Sequence, residues 1–253
     1  MIIIKSANEL EKMRVSSGIT AALMAALEAM IAPGVTTGEL DRAAAEFIKE
    51  RGARSAFMGY RGYPASICVS VNEEVVHGIP GRRALVPGDI VSLDVGIEHG
   101  GYFGDMARTF AVGAVSPEKG RLVEAARLAV ADAVARALAG GWLFDISHAI
   151  ESRALSNGFT VVRDYVGHGI GARLHEDPQI PNYGKPTTGP RLKPGMTFAV
   201  EAMVNAGTHA VRVLSDGWTV VTQDGKAAAH FEDTIAVTED GPEVFTCLKK
   251  RKP

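Results

Sequence analysis

The stretch Asp89–Phe110, DIVSLDVGIEHGGYFGDMARTF, places two strand-like apolar runs on either side of His99-Gly100-Gly101. With His99-Gly100 as the two-residue turn of a hairpin, Asp94 faces Asp105 across the strands. Like charges directly opposite each other in a sheet repel, so this pairing predicts a cation between the two carboxylates. Two more acids sit in similar apolar runs: Glu201 in TFAVEAMV and Glu232 in HFEDTIAV. A buried carboxylate without a partner is costly and tends to take up a proton instead. One such acid reads as a solvent-facing residue. Four in one chain read as a site.

Three histidines lie in suggestive contexts. His168 stands between two glycines in YVGHGIGARLHEDP, His175 follows in the same segment, and His77 lies in SVNEEVVHGIP, in a loop closing on Pro80-Gly81. Glycines let backbone approach a site closely. His99, His148, His209 and His230 read as ordinary surface or core histidines. Four carboxylates and one imidazole form an oxygen-rich donor set that suits Mn, Fe(II) or Co better than a structural thiolate zinc. Two such ions can generate hydroxide at neutral pH. No competing chemistry has comparable support: there is no G-x-S-x-G elbow, Walker A loop, H-E-x-x-H or Rossmann fingerprint. Gly59-x-x-Gly62 and Gly167-x-Gly169-x-Gly171 read as loops.

The rest of the chain fits one globular unit. It has 253 residues, 46% hydrophobic and 22% charged, with Lys plus Arg at 27 against Asp plus Glu at 29. That balance argues against a strongly cationic nucleic-acid binder. Two cysteines, Cys68 and Cys247, suit a reducing cytosol. The start has three isoleucines before Lys5, too few for a signal-peptide core. The longest apolar stretch, Ala21–Ala32, is broken by Glu28 and is too short to span a membrane. The basic end, KKRKP at 249–253, reads as a solvated tail.

Element order repeats along the chain. A helix over Ser6–Ile31, with Leu23, Leu27, Met30 and Ile31 on one stripe, ends at Ala32-Pro33-Gly34. Thr36-x-x-Glu39 then forms a capping box for a helix that buries Leu40, Ala44, Phe47 and Ile48 and stops at Gly52. Strand signals follow at Ser66–Val71, Asp89–Gly96 and Gly101–Val112. Ser116-Pro117 starts the order again: helix Glu118–Ala139, a break at Gly140-Gly141, helix Asp145–Asn157, Gly158. Strand signals then come at Thr160–Val162, Met196–Ala202, Trp218–Val221 and Ala228–Val237. The inter-helix breaks lie 107 residues apart and the terminal glycines 106 apart. This predicts an α+β fold of two pseudo-symmetric halves, roughly 1–114 and 115–247, within a single domain over 1–253. An antiparallel sheet is expected, covered by helices, with a cleft between the half-sheets.

At these residues the sequence resembles the type I methionine aminopeptidases of metallopeptidase family M24. The resemblance spans nearly the whole chain. It rests on GYRGYPASICVSVNEEVVHGIP, the Asp94/Asp105 pair, GHGIG with the following HEDPQ, LKPGMTFAVEAM, DGWTV and FEDTIAVTEDG. It implies the pita-bread fold and two divalent ions (Co, Mn, Fe(II) or Zn). By motif position it implies that Asp94 chelates one ion, Asp105 and Glu232 bridge both, and His168 and Glu201 complete the other site. Glu201 is also implied as the general base, His175 as a hydrogen-bond donor to the substrate amide and developing oxyanion, and His77 as a positioning or proton-moving group. Phe57, Tyr60, Tyr63, Cys68, Leu174 and Trp218 are implied as the methionine pocket, with His77 and His175 beside it.

The chain departs from the family pattern at three places. Ala202 replaces the usual Pro after the metal-binding glutamate and is expected to loosen its strand. Asp233 stands where some members carry His and is expected to add negative charge near the metals. Leu174 stands where an aromatic is common and is expected to widen the pocket. The activity implied is removal of initiator methionine from peptides and nascent chains with a small second residue. The setting implied is a cytoplasmic monomer with the ribosome as a candidate partner, and neither specific nucleic acid nor a membrane. Another pita-bread peptidase acting on Xaa-Pro bonds, or a non-catalytic binding module on the same fold, are the alternatives.

Overall fold

In the computed structural model, which describes residues 1–247, Ser6 opens helix α1 (Ala7–Glu28) and Thr36 opens α2 (Thr37–Glu50). Both use capping boxes: the Ser6 amide donates to Glu9 Oε2 at 2.8 Å and the Thr36 amide to Glu39 Oε2 at 2.7 Å. Each box satisfies donors that the first turn leaves without partners. Ser116 caps α3 (Pro117–Val134), and α4 spans Leu143–Ser156. α1 and α3 end before the sequence pattern predicts, because Met30, Ile31, Arg136 and Ala137 wind into tighter i→i−3 turns. The basic tail at 249–253 lies outside the described residues.

The strands are β1 (Arg54–Ser55), β2 (Cys68–Val71), β3 (Glu74–Val76), β4 (Ile90–His99), β5 (Tyr102–Ala111), β6 (Thr160–Val161) and β7 (Val166–Gly169). They continue with β8 (Glu176–Pro181), β9 (Thr197–Asn205), β10 (Val211–Val213), β11 (Val220–Thr222), β12 (Ala228–Thr238) and β13 (Gly241–Val244). The main sheet is antiparallel and runs β1-β4-β5-β12-β9-β7-β8, with β2 on β4, β6 on β9 and β13 on β12. A small sheet orders β10-β11-β3.

Strand alternation decides which face each residue takes. Val91, Leu93, Val95 and Ile97 of β4 pack with Leu23, Met24 and Leu27 of α1 and Leu40 of α2. Phe198, Val200 and Val204 of β9, with Phe231 and Ile235 of β12, pack with the alanine face of α3 (Ala125, Ala126, Ala129, Ala133). Each buried leucine or isoleucine there contributes about 1.5–3 kcal/mol. The residues between them, Asp94, Glu201 and Glu232 included, point to the other face. One sheet therefore carries a helix-covered apolar side and a polar side.

The hairpin turn is Gly100-Gly101, one residue later than the sequence reading placed it. Its φ values are 61° and 84°, the positive pair that a two-residue turn of this hand requires and that glycine adopts without strain. His99 thus pairs with Tyr102, Asp94 with Ala107, and Asp105 with Gly96. The pairing moves by two residues, which leaves every side chain on its expected face.

Only the end of the GHGIG segment, Ile170-Gly171, lies outside a strand. Val166–Gly169 is an inner strand between β9 and β8. A Cβ on Gly167 would lie 2.7 Å from the Ala199 carbonyl oxygen, so glycine composition here marks a tight strand pairing. The two half-sheets are also not separate: β5 pairs β12 at Ala107↔Glu232 and Met106↔Asp233, making one continuous sheet.

Candidate active site

Pairing across the sheet assembles the site in two adjacent rows. The first row runs Cys68↔Asp94↔Ala107↔Glu232↔Glu201 across β2, β4, β5, β12 and β9. The second, one step along, carries Gly96↔Asp105 on β4 and β5 and Thr234↔Ala199↔His168 on β12, β9 and β7. Thr234 joins the two parts of that row: its Oγ1 accepts from the Asp105 amide at 2.9 Å and donates to the Asp105 carbonyl at 2.8 Å. Four acids and an imidazole from both halves thus converge on one face. Asp105, His168 and Glu232 offer ligand atoms within 4.8 Å of one another, and His168 Nε2 lies 4.0 Å from Asp105 Oδ2. Asp94 and Glu201 line the same cavity outside that compact trio.

The cavity measures about 300 Å³ and is lined by all the residues named from the sequence: the five candidate ligands together with Phe57, Tyr60, Tyr63, Cys68, His77, Leu174, His175 and Trp218. Its aromatic wall is fixed by specific contacts. Tyr63 donates to the Gly78 carbonyl at 2.8 Å, and Trp218 stands edge-on to Tyr63 at 5.1 Å. Phe57 lies over Gly96, where a Cβ would come within 2.7 Å of its ring. His77 is half-buried with φ at 60°, its ring edge-on to Tyr165 and Trp218. A side chain held in the left-handed region stores local strain, which is tolerated where a site needs that placement.

The donor set fits metal ions. Asp94 Oδ1 and Glu232 Oε1 are buried without any hydrogen-bond partner, and buried polar atoms are rarely left so. His168 Nδ1 bonds the Gly169 carbonyl at 2.9 Å. That bond places the ring proton on Nδ1 and turns the Nε2 lone pair to the carboxylates, the arrangement of a ligating histidine.

Charge in the site is unevenly placed. Burial, and then the neighbouring Asp105 charge, push Asp94 and Glu232 well above the usual carboxylate range. Burial and Glu201 push Asp105 up to about 8. Burial acts on Glu201 in the same direction, but the His230 hydrogen bond and the charges of His230, His168 and His77 hold it below its ordinary value. Burial, with His168 beside it, brings His175 down to about 4. Tyr60 Oη lies 2.9 Å from His175 Nδ1. With Tyr60 donating, neutral His175 carries its proton on Nε2.

These shifts make metal-free stability depend on pH. Asp94, Asp105 and Glu232 hold protons in the folded chain over a range where the unfolded chain has released them. Stability then falls as pH rises. The contribution is fully present below an unfolded value of about 4 and is lost as pH rises through about 8 for Asp105. His77, His168 and His175, whose folded values burial lowers, act in the opposite sense up to about pH 6.5, so chelator-treated protein should melt lower at about pH 8.5 than at about pH 7. Added divalent metal should raise Tm most at the higher pH. A metal-free Tm that is level or climbs across this range would contradict the burial described here.

Some residues differ from their sequence reading. His230, read as an ordinary histidine, lines the cavity and places Nε2 3.0 Å from Glu201 Oε2. The signal was present: His230 lies two residues before Glu232, hence on the same face of β12. Asp233 turns to the opposite face, where Arg108 holds it at 2.7 Å and Thr246 at 2.6 Å. Its charge is paired outside the cavity, and its remaining effect on the site is a minor upward push on Glu232. Ala202 packs among the core residues under the helices, and pairing of β9 with β12 runs unbroken from Thr197 to Asn205, so the strand is not loosened.

Comparisons agree with the geometry. The model of metallopeptidase family M24 matches residues 11–239. A methionine aminopeptidase of Clostridium acetobutylicum is 51% identical, over 97% of this chain and 99% of its own length. Methionine aminopeptidase 1 of Bacillus subtilis is 52% identical with the same coverage. The crystal structure of a Thermotoga maritima methionine aminopeptidase superposes with a TM-score of 0.97 at 46% identity, over 98% of this chain and 100% of that one. A Pyrococcus furiosus prolidase, at 22% identity and TM-score 0.80, shares the pita-bread fold alone. The chain belongs to metallopeptidase family M24 and, within it, to the methionine aminopeptidases.

Proposed function

We propose that this chain removes N-terminal methionine from peptides and nascent chains whose second residue is small. The observation that carries this is one cavity lined both by aromatic rings and by the five candidate metal-ligand side chains. A thioether packs well against tyrosine and tryptophan rings. The carboxylate-lined end would receive the free α-amine, which an internal peptide bond lacks, so cleavage is confined to chain ends.

Asp94, Asp105, His168, Glu201 and Glu232 would hold two divalent ions, Co, Mn, Fe(II) or Zn. When bound, such ions supply a nucleophilic water at neutral pH and polarise the scissile carbonyl. The chain's own groups do the rest. Glu201 has its Oε2 held by His230 and a carboxyl kept ionised, so it is suited to take the proton of the attacking water. Neutral His175 offers Nε2–H to the oxygen that gains charge. His77, fixed edge-on between two aromatic rings, borders the scissile region.

The continuous sheet supports a single catalytic domain over 1–253, with halves at roughly 1–114 and 115–247. Among the described residues no helix is long and apolar enough to cross a membrane. We place the enzyme in the cytoplasm as a monomer, acting on chains as they leave the ribosome.

Hydrolysis of Met-Ala-Ser against a Xaa-Pro peptide tests the assignment, with the protein loaded in turn with each metal. Release of methionine at the higher rate is expected. Faster cleavage of the Xaa-Pro peptide, or no turnover with any divalent metal, would overturn it.

A further inference from the structure

We propose that Lys5 is a positioning residue for His175, acting through Glu176. Lys5 Nζ and Glu176 Oε2 are 2.5 Å apart, with side chains 3% and 2% exposed. Lysine and glutamate are almost never this buried unless paired. The pair is far apart in sequence and joins the segment before α1 to the start of β8.

The surroundings show what the pair holds. Glu176 follows His175 directly. Its other oxygen, Oε1, accepts from the Arg173 amide at 3.2 Å, and the Gly171 amide donates to the Arg173 carbonyl at 3.1 Å. Glu176 thus closes the turn that carries His175. Lys5 reaches this carboxylate beneath Gly171, where a Cβ would come within 2.4 Å of Lys5 Cε and 2.8 Å of Glu176 Oε1. Lys5 is itself fixed, its amide donating to the Gly195 carbonyl at 2.8 Å. The first residues of the chain therefore strap the turn from outside, while His175 meets Tyr60 and His168 on the inside.

Breaking one side of a buried pair leaves an uncompensated charge; whether Glu176 then takes up a proton or turns towards water, the tie from Lys5 to the turn is lost and the turn loosens. His175 would then leave its place, and small misplacements of a catalytic group are costly to rate. The expected signature is a loss in kcat with little change in KM or metal content.

This inference rests on the role proposed for His175, and a double-mutant cycle separates the two. Lys5→Met, His175→Ala and the double variant would be assayed for kcat, KM and bound metal, with Glu176→Gln as a second route into the same cycle should Lys5→Met not fold. Lys5→Met should lower kcat roughly tenfold or more while KM and metal content hold. The same change made in His175→Ala should then cost little further. An unchanged kcat in Lys5→Met, or an equal further loss in the His175→Ala background, would overturn the positioning role. Wild-type kcat in His175→Ala would instead overturn the reading of His175 itself.

Discussion

Asp105→Ala should abolish peptide hydrolysis and lower metal content, and Glu232→Ala should do the same. Asp105, His168 and Glu232 are the side chains whose ligand atoms converge most closely, and both acids are buried. Removing either takes away a donor from the centre of the cluster. The loss in activity should exceed the roughly 10–100-fold typical of partners outside the ligand set. Asp233→Asn provides the contrast, because Asp233 lies next to Glu232 in sequence but on the opposite face with Arg108. It should keep its metal. Metal analysis of the three variants checks this directly. Normal metal content in Asp105→Ala or Glu232→Ala would remove the assignment of those residues.

His175→Ala should retain metal yet lose roughly 10²–10³ in kcat, the scale of one oxyanion donor. His175 lies outside the compact ligand trio, and its ring contacts are Tyr60 and His168. Burial and His168 keep it neutral at pH 7, so what is lost is a hydrogen-bond donor and not a fixed charge. Because the bond forms to charge that develops during reaction, kcat should fall more than KM rises. An unaltered kcat with metal still bound would end that role.

Much of the site was legible because strand periodicity is simple. Asp94, Glu201 and Glu232 each interrupt an apolar run, and alternation sends each to the face opposite its hydrophobic neighbours. A two-residue error in the hairpin pairing did no harm for the same reason. Where the reading failed, the deciding facts were contacts between distant segments. His230 looked ordinary because its partner, Glu201, lies on a different strand. Asp233 looked like an added charge in the site because its partner, Arg108, lies on a different strand. GHGIG looked like a loop because glycine usually signals one. The reason for glycine there is the Ala199 carbonyl pressed against Gly167, which belongs to another strand.

The sequence by itself determined three of the four helix starts, through Ser6, Thr36 and Ser116, and the two-sided character of the sheet; α4 begins two residues before the predicted Asp145. It also supplied the donor types, since acids in apolar strands require a partner wherever the strands lie. Only the tertiary structure decided how those donors meet. The short pairing of β5 with β12 aligns Asp94, Glu232 and Glu201 in one row and sets Asp105 and His168 in the next. That alignment depends on register between segments more than a hundred residues apart. Local propensity does not encode such register, because it is fixed by which apolar faces must be buried together.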